Sequence, residues 1–96
     1  MIVSFGDPAT EALFHGQRDA RVRRIPPDIR PAAVRKLDML NAAKELLDLR
    51  APPGNRLEAL HGDRKGFHSI RVNDQWRIVF RWTPVGPERA SLTDYH

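Results

Sequence analysis

The sequence predicts an α+β fold: a small, mostly antiparallel β-sheet with two to three helices packed on one face. Three observations support this prediction. Apolar residues recur at helical spacing only in the first half of the chain, which ends near Leu49. β-Branched and aromatic residues are concentrated in the second half, in the runs Phe67–Val72 and Trp76–Trp82. Between the halves, Ala51–Asn55 contains two prolines and a glycine, which is typical of a loop.

Length and composition favour one domain, residues 1–96, with an anionic partner. Cysteine is absent, which excludes a disulfide scaffold and a thiolate metal site. No apolar run is long enough to span a bilayer, and Met1–Phe5 is too short for a signal peptide. We therefore expect a cytoplasmic protein that does not bind a membrane. The net charge of +4, mostly due to arginine, favours a nucleic acid or an acidic protein as partner.

The first elements are a short strand and a short helix. Met1–Phe5 is predicted as a strand because its residues are mostly apolar. Asp7 is expected to cap a helix in which Pro8 occupies the first position, and Gly16 is expected to end it. The basic run Arg18–Arg24 follows. It is either a solvated loop or a patch that contacts nucleic acid or an acidic partner.

The main helical region is predicted to begin after Pro26-Pro27, with Asp28 as its cap. Apolar residues then recur at helical spacing: Ile29, Ala33, Leu37 and Leu40. A further helical segment is predicted over Ala42–Leu49, and the sequence leaves open whether this is one helix or two. In either case the apolar stripe is expected to cover one face of the sheet.

Four strands are predicted in the second half, joined in part by turns at Asn73–Gln75 and Thr83–Glu88: Arg56–Leu60, Phe67–Val72, Trp76–Trp82 and Arg89–His96. A three-residue loop at Asn73–Gln75 places Ile70 opposite Ile78, and Arg71 opposite Arg77. The alternation of side chains then gives one apolar face, shared by Ile70, Val72, Trp76, Ile78 and Phe80. His68 falls on the same face and is interpreted as a packed residue.

The other face of this hairpin carries the arginine pair. Two guanidinium groups directly opposite each other repel, and an anion between them relieves the repulsion. The planar fork of arginine matches a phosphate group. The pattern therefore indicates either a phosphate site or a solvated face with two positive charges.

Two histidines suggest acid–base chemistry near these arginines. His61 precedes Gly62-Asp63-Arg64, and His96 closes the chain after Asp94-Tyr95. Histidine titrates nearest to neutral pH, and arginine stabilises charge that develops on phosphoryl oxygens. A metal site is not expected, because the histidines lack paired ligand spacing, and no phosphate-binding glycine motif indicates a cofactor. The alternative is an ordered tail and a surface histidine.

Several strings of this sequence resemble the HigB branch of the RelE/ParE toxin superfamily: Pro53–Leu60, Gly62–Arg64, Ser69–Arg71, Asn73–Ile78 and Asp94–His96. The resemblance implies a RelE-like, microbial ribonuclease-like fold. It also implies a type II toxin that cleaves messenger RNA in the ribosomal A site without a cofactor. The implied partner is a HigA-like helix-turn-helix antitoxin, with the toxin monomeric alone and part of a larger complex when antitoxin is bound.

The resemblance assigns roles to individual residues. Arg71 occupies the position of a catalytic arginine, and Asp94–His96 match a terminal active-site triplet. Arg64, Lys65 and Arg77 are expected to bind RNA phosphates. His61 stands where many relatives have lysine, so it is either an acid–base residue or a further cation.

The implied mechanism begins when His61 or His96 removes the proton of the RNA 2′-hydroxyl. Arg71, with Arg77 or Arg64, stabilises the phosphorane. Tyr95 or the other histidine then protonates the leaving 5′-oxygen. Two alternatives remain: a ParE-like toxin that acts on DNA gyrase, and a basic protein that only binds nucleic acid or the ribosome.

Overall fold

The computed structural model describes residues 1–95 and confirms the α+β architecture. Two helices, α1 (Pro8–Phe14) and α2 (Arg30–Ala42), precede a four-stranded antiparallel sheet. The strands are β1 (Glu58–Ala59), β2 (Phe67–Arg71), β3 (Trp76–Thr83) and β4 (Gly86–Asp94), and they lie in the sheet in chain order. Short 3-10 turns occupy Val22–Arg24, Pro27–Ile29, Leu46–Arg50, Pro53–Asn55 and Gly62–Arg64.

The core lies between α2 and one face of the sheet. Ile70, Ile78 and Phe80 are fully buried and belong to one cluster with Leu37 and Leu40 of α2. Burying an aliphatic or aromatic side chain of this size contributes about 1.5–3 kcal/mol. The arginine-bearing face is therefore the one turned away from α2, as the alternation of the hairpin predicted.

The register of the central hairpin is confirmed. Ile70 pairs with Ile78, and Arg71 pairs with Arg77. The loop closes through the Val72 N–H, which donates to the Trp76 carbonyl oxygen at 2.9 Å. The turn thus fixes which side chains share a face, because a shift of one residue exchanges the two faces.

The prediction of a strand at Met1–Phe5 is wrong, since this segment forms only one parallel bridge, between Phe5 and Ala90. β4 carries a bulge here: its register with β3 shifts between Val79 and Arg81, and Arg89 has a left-handed φ of 54°. Because of the bulge, the Ala90 N–H donates to the Ser4 carbonyl oxygen. The pairing does not extend toward Met1. The Pro87 carbonyl oxygen accepts from the Val3 N–H at 2.7 Å, but Pro87 has no N–H to donate in return.

Helix α1 begins as predicted, with Asp7 as its cap and Pro8 in the first turn. The Asp7 carboxylate accepts from the Thr10 N–H at 2.8 Å and from the Ser91 hydroxyl of β4 at 2.6 Å. Thr10 in turn accepts from the Leu92 N–H at 2.9 Å. The cap therefore also attaches α1 to the outer edge of β4.

The prediction that Asp28 caps the main helix is wrong. Asp28 lies in the 3-10 turn Pro27–Ile29, and α2 starts at Arg30 without a side-chain cap. The helix ends at Ala42, so the further helical segment predicted over Ala42–Leu49 is separate from α2, and only its second half is helical, in the 3-10 turn Leu46–Arg50. This turn begins with a reciprocal pair of bonds: the Glu45 side chain accepts from the Asp48 N–H, and the Asp48 side chain accepts from the Glu45 N–H at 3.0 Å.

The last turn is shorter than predicted, because β4 starts at Gly86 and only Pro84 and Val85 lie outside the two strands. Gly86 has a φ of 132°, and a Cβ atom placed there would lie 2.4 Å from the Met1 carbonyl oxygen. Glycine is thus required both by the backbone conformation and by the approach of the N-terminal segment.

Replacing Gly86 by alanine is expected to lower the free energy of unfolding by about 2 kcal/mol, owing to strain and the displaced N-terminus. Urea denaturation followed by circular dichroism measures the change. Gly54→Ala is the control, because Gly54 has no positive φ and a Cβ atom there meets no neighbour within 4 Å. Equal stability of the two variants would contradict the steric argument.

Candidate functional site

The hairpin arginines lie next to each other on the face turned away from α2. Each guanidinium turns to a different carboxylate: Arg71 pairs with Asp74, and Arg77 faces Glu58 at 3.4 Å. The repulsion expected between the two cations is therefore relieved by acidic groups of the protein itself. A phosphate that binds here competes with these carboxylates.

Arg77 is the more enclosed of the pair, with 14% of its side chain exposed against 29% for Arg71. Its Nη1 donates to the Ser69 hydroxyl at 2.9 Å and to the Arg56 carbonyl oxygen at 3.4 Å, while Nη2 faces Glu58. Ser69 is fully buried, although it lies on the same face. This face is consequently less open than the sequence suggested.

Tyr95 lies against two arginines from different parts of the chain. The guanidinium carbon of Arg77 is 5.6 Å from the centre of the Tyr95 ring, and that of Arg64 is 5.9 Å away. Both distances are within the range of cation–π attraction. The Tyr95 N–H also donates to the Gln75 carbonyl oxygen at 2.6 Å. The C-terminal segment is thus held beside the basic face, and its phenol points to that face.

Arg71 is held less firmly than Arg77. Its partner Asp74 lies in the turn and has a side chain that is 99% exposed. An ion pair with so exposed a partner contributes only about 0–1 kcal/mol. An incoming phosphate replaces such a carboxylate at little cost, so Arg71 is the more available of the two cations.

Asp94 lies at the end of β4, where both of its carboxylate oxygens accept from the Gln75 amide, at 3.1 and 3.2 Å. It pairs in register with Trp76, so it belongs to the row of side chains that includes Ile78 and Leu92. Strand alternation therefore directs Asp94 and Tyr95 to opposite faces. His96 lies outside the described residues, and its assignment rests on sequence alone.

The segment between β1 and β2 carries three further predicted site residues. His61 precedes the 3-10 turn Gly62–Arg64, Lys65 follows it, and His61, Arg64 and Lys65 are all exposed. Only Arg64 reaches Tyr95. Within residues 1–95, the side chains of His61 and Lys65 form no hydrogen bond, ion pair or ring contact. Their roles remain predictions from sequence.

Lys36 of α2 adds a cation near this site. Its ammonium group donates to the Asn55 side-chain oxygen at 2.5 Å. Burial lowers the pKa of Lys36 from its usual 10.5, and the charges of Arg35 and Arg71 lower it further. Lys36 and Arg71 are therefore near enough for their charges to interact.

His68 occupies the packed position predicted for it. Its ring stacks on Phe80 with 6.3 Å between the ring centres, and its buried Nδ1 has no hydrogen-bond partner. Across residues 1–95, the acidic and histidine side chains form no group of three suited to hold a metal ion. Over the same range, no helix has the length and apolar character needed to cross a bilayer.

Sequence reasoning missed several supporting groups: Glu58 and Ser69 contact Arg77, Gln75 binds Asp94 and Tyr95, and Asn55 accepts from Lys36. Glu58 and Ser69 pair in register between β1 and β2, which places them on one face with Arg71 and Arg77. The alternation within Arg56–Leu60 was the available signal. It did not identify Glu58, because the pairing of that strand could not be read from sequence.

Comparisons with known proteins agree over most of the chain. A family model described as RelE-like toxin of type II toxin-antitoxin system HigB matches residues 4–96. Toxin HigB-1 of Vibrio cholerae is 48% identical over 82 residues, which cover 85% of this chain and 84% of that protein. An uncharacterized protein of Haemophilus influenzae is 41% identical over 59 residues, or 62% of this chain and 58% of that protein. The family match spans the helical layer and all four strands.

Proposed function

Because this chain belongs to the HigB-like family of RelE-like toxins from type II toxin–antitoxin systems, we propose that it is an endoribonuclease. Its substrate is messenger RNA in the ribosomal A site, and the reaction uses acid–base attack by the RNA 2′-hydroxyl. The main support is the position of Tyr95, whose ring lies within 6 Å of the guanidinium carbons of Arg64 and Arg77. A group that can donate a proton thereby lies next to two cations of the basic face.

In the proposed reaction a histidine, His61 or His96, removes the 2′-hydroxyl proton. The 2′-oxygen attacks phosphorus, and the bond from phosphorus to the 5′-oxygen breaks, which leaves a 2′,3′-cyclic phosphate. Arg71 stabilises the charge that develops on the phosphoryl oxygens, and Arg64 is the second cation proposed for this role. Tyr95 or the other histidine donates a proton to the leaving 5′-oxygen. Proton release and proton uptake therefore balance.

The proposed partners follow from this function. Membership of a type II system implies an antitoxin, and we propose that it is a HigA-like helix-turn-helix protein. The ribosome and its messenger RNA are the proposed anionic partners, in accord with the net charge of +4. On this proposal the whole chain acts as one cytoplasmic domain, monomeric without its antitoxin.

Cleavage in a translation extract tests the proposal. Adding the purified protein to an extract that translates a reporter messenger RNA should produce discrete cuts at ribosome-bound codons, mapped by primer extension. The same messenger RNA without ribosomes is the control and should remain uncut. Growth inhibition with intact messenger RNA would contradict the proposal and favour action on gyrase. Binding without cleavage or growth inhibition would indicate the non-enzymatic alternative.

A further inference from the structure

Arg77 differs from the other cations of the site in the number of protein groups that hold it. Its two terminal nitrogens are directed to a hydroxyl, a main-chain carbonyl and a carboxylate: Ser69, Arg56 and Glu58. Most of its side chain is buried, whereas Arg64 and Lys65 are exposed. A phosphate ligand must offer free N–H groups, and three contacts of the terminal nitrogens of Arg77 go to the protein instead.

Two of the side chains around Arg77 come from the neighbouring strands β1 and β2. Ser69 is in the middle of β2 and fully buried, and Glu58 pairs with it in register from β1. Arg77 of β3 therefore contacts side chains of both β2 and β1. Tyr95 lies beside the same guanidinium group, whose carbon is 5.6 Å from the centre of the ring.

We propose that Arg77 is a positioning residue: it holds the Tyr95 ring, and Glu58 and Ser69 hold Arg77. This inference rests on the proposed nuclease function and refines it. Phosphate contacts are left to Arg71 and Arg64, whose side chains are more accessible. Glu58, a carboxylate that would repel RNA, has a role on this reading because it orients the arginine under the phenol.

Salt dependence separates a phosphate ligand from a positioning residue. Each phosphate contact with single-stranded RNA adds about 0.7 to the slope of log affinity against log salt. The probe is a short RNA oligonucleotide with 2′-O-methyl groups, which prevents cleavage. We expect Arg71→Met to weaken binding and to reduce this slope by about 0.7, the value of one phosphate contact. Arg77→Met should leave the slope equal to that of the parent protein.

The position of Tyr95 is observable directly, because it is the only tyrosine in the chain. Ring proton–carbon correlations in a tyrosine-labelled sample therefore give one assignable set of signals. We expect the chemical shifts of these signals to change in Arg77→Met and to change by a smaller amount in Glu58→Gln. They should not move in Arg71→Met, the matched control from the opposite register position.

Cleavage in the translation extract supplies the third measurement. Loss of correct positioning is expected to lower kcat by about a hundredfold in Arg77→Met with little change in KM. Arg77→Lys should restore part of the rate. Glu58→Gln retains both shape and fold, so it keeps the test valid should Arg77→Met be unstable.

The proposal is overturned if Arg77→Met reduces the salt slope as much as Arg71→Met does. It is equally overturned if the tyrosine signals stay in place in both Arg77→Met and Glu58→Gln. The binding and spectroscopic measurements need no cleavage. A parent protein that fails to cut RNA would therefore refute the nuclease function, while the shift of the Tyr95 signals would still decide the role of Arg77.

Discussion

Arg71→Ala is expected to reduce ribosome-dependent cleavage of messenger RNA by about a hundredfold to a thousandfold, the usual effect of removing a group that stabilises transition-state charge. Within residues 1–95 the ion-pair partner of Arg71 is the exposed Asp74, and the backbone pairing of the hairpin does not depend on either side chain, so the variant is expected to fold. The rate is measured by primer extension in a translation extract, and the fold by circular dichroism.

Arg81→Ala provides the matched control for this experiment. Arg81 lies on β3 in the row that contains Arg77, its side chain is 54% exposed, and it pairs with Glu88 at 3.8 Å. It belongs to the end of the strand away from Tyr95, so its removal should leave cleavage nearly unchanged. His96→Ala should match Arg71→Ala if the terminal histidine takes part in proton transfer. Full activity of both variants would refute the site assignment.

Asn55→Ala is expected to lower the free energy of unfolding by about 2–4 kcal/mol. Asn55 is fully buried, and its amide nitrogen donates to the Leu49 and Ala51 carbonyl oxygens, each at 3.2 Å. Its oxygen accepts from Lys36. Alanine removes all of these bonds and leaves the carbonyl group of the buried Leu49 without its partner.

Asn41→Ala is a suitable comparison, because the Asn41 side chain accepts one partly buried bond, from the Ile2 N–H at 2.9 Å. Its loss should cost about 0.5–1.5 kcal/mol. Urea denaturation of both variants measures the difference. If Asn55→Ala were no more destabilising than Asn41→Ala, the carboxamide would not be the group that holds the loop together.

The central hairpin could be predicted from sequence because its determinants are local. The turn at Asn73–Gln75 fixes the register, and the alternation of Ile70, Arg71 and Val72 then separates the apolar and basic faces. The cap at Asp7 is local in the same sense. The predictions that failed concerned segments whose structure depends on distant partners. Met1–Phe5 has strand composition, but its ladder is limited by Pro87, far along the chain.

In the candidate site, too, the features with local determinants could be predicted and those that depend on distant partners could not. The residues that the resemblance identified lie in recognisable strings, and the structure brings Arg64, Arg77 and Tyr95 together. Their supports were not predictable, since the contact between Glu58 and Arg77 requires the pairing of β1 with β2. No local spacing rule encodes that pairing, because the two strands are separated by the Gly62–Arg64 turn.

The strands run through the sheet in the order in which the chain emerges from the ribosome, with β4 after the other three. Tyr95 joins the site through the Gln75 carbonyl only once β4 has paired along β3. A nascent chain that stops before β4 thus carries the basic hairpin but lacks the phenol beside it. On the proposed function, the products of an interrupted synthesis would therefore lack nuclease activity.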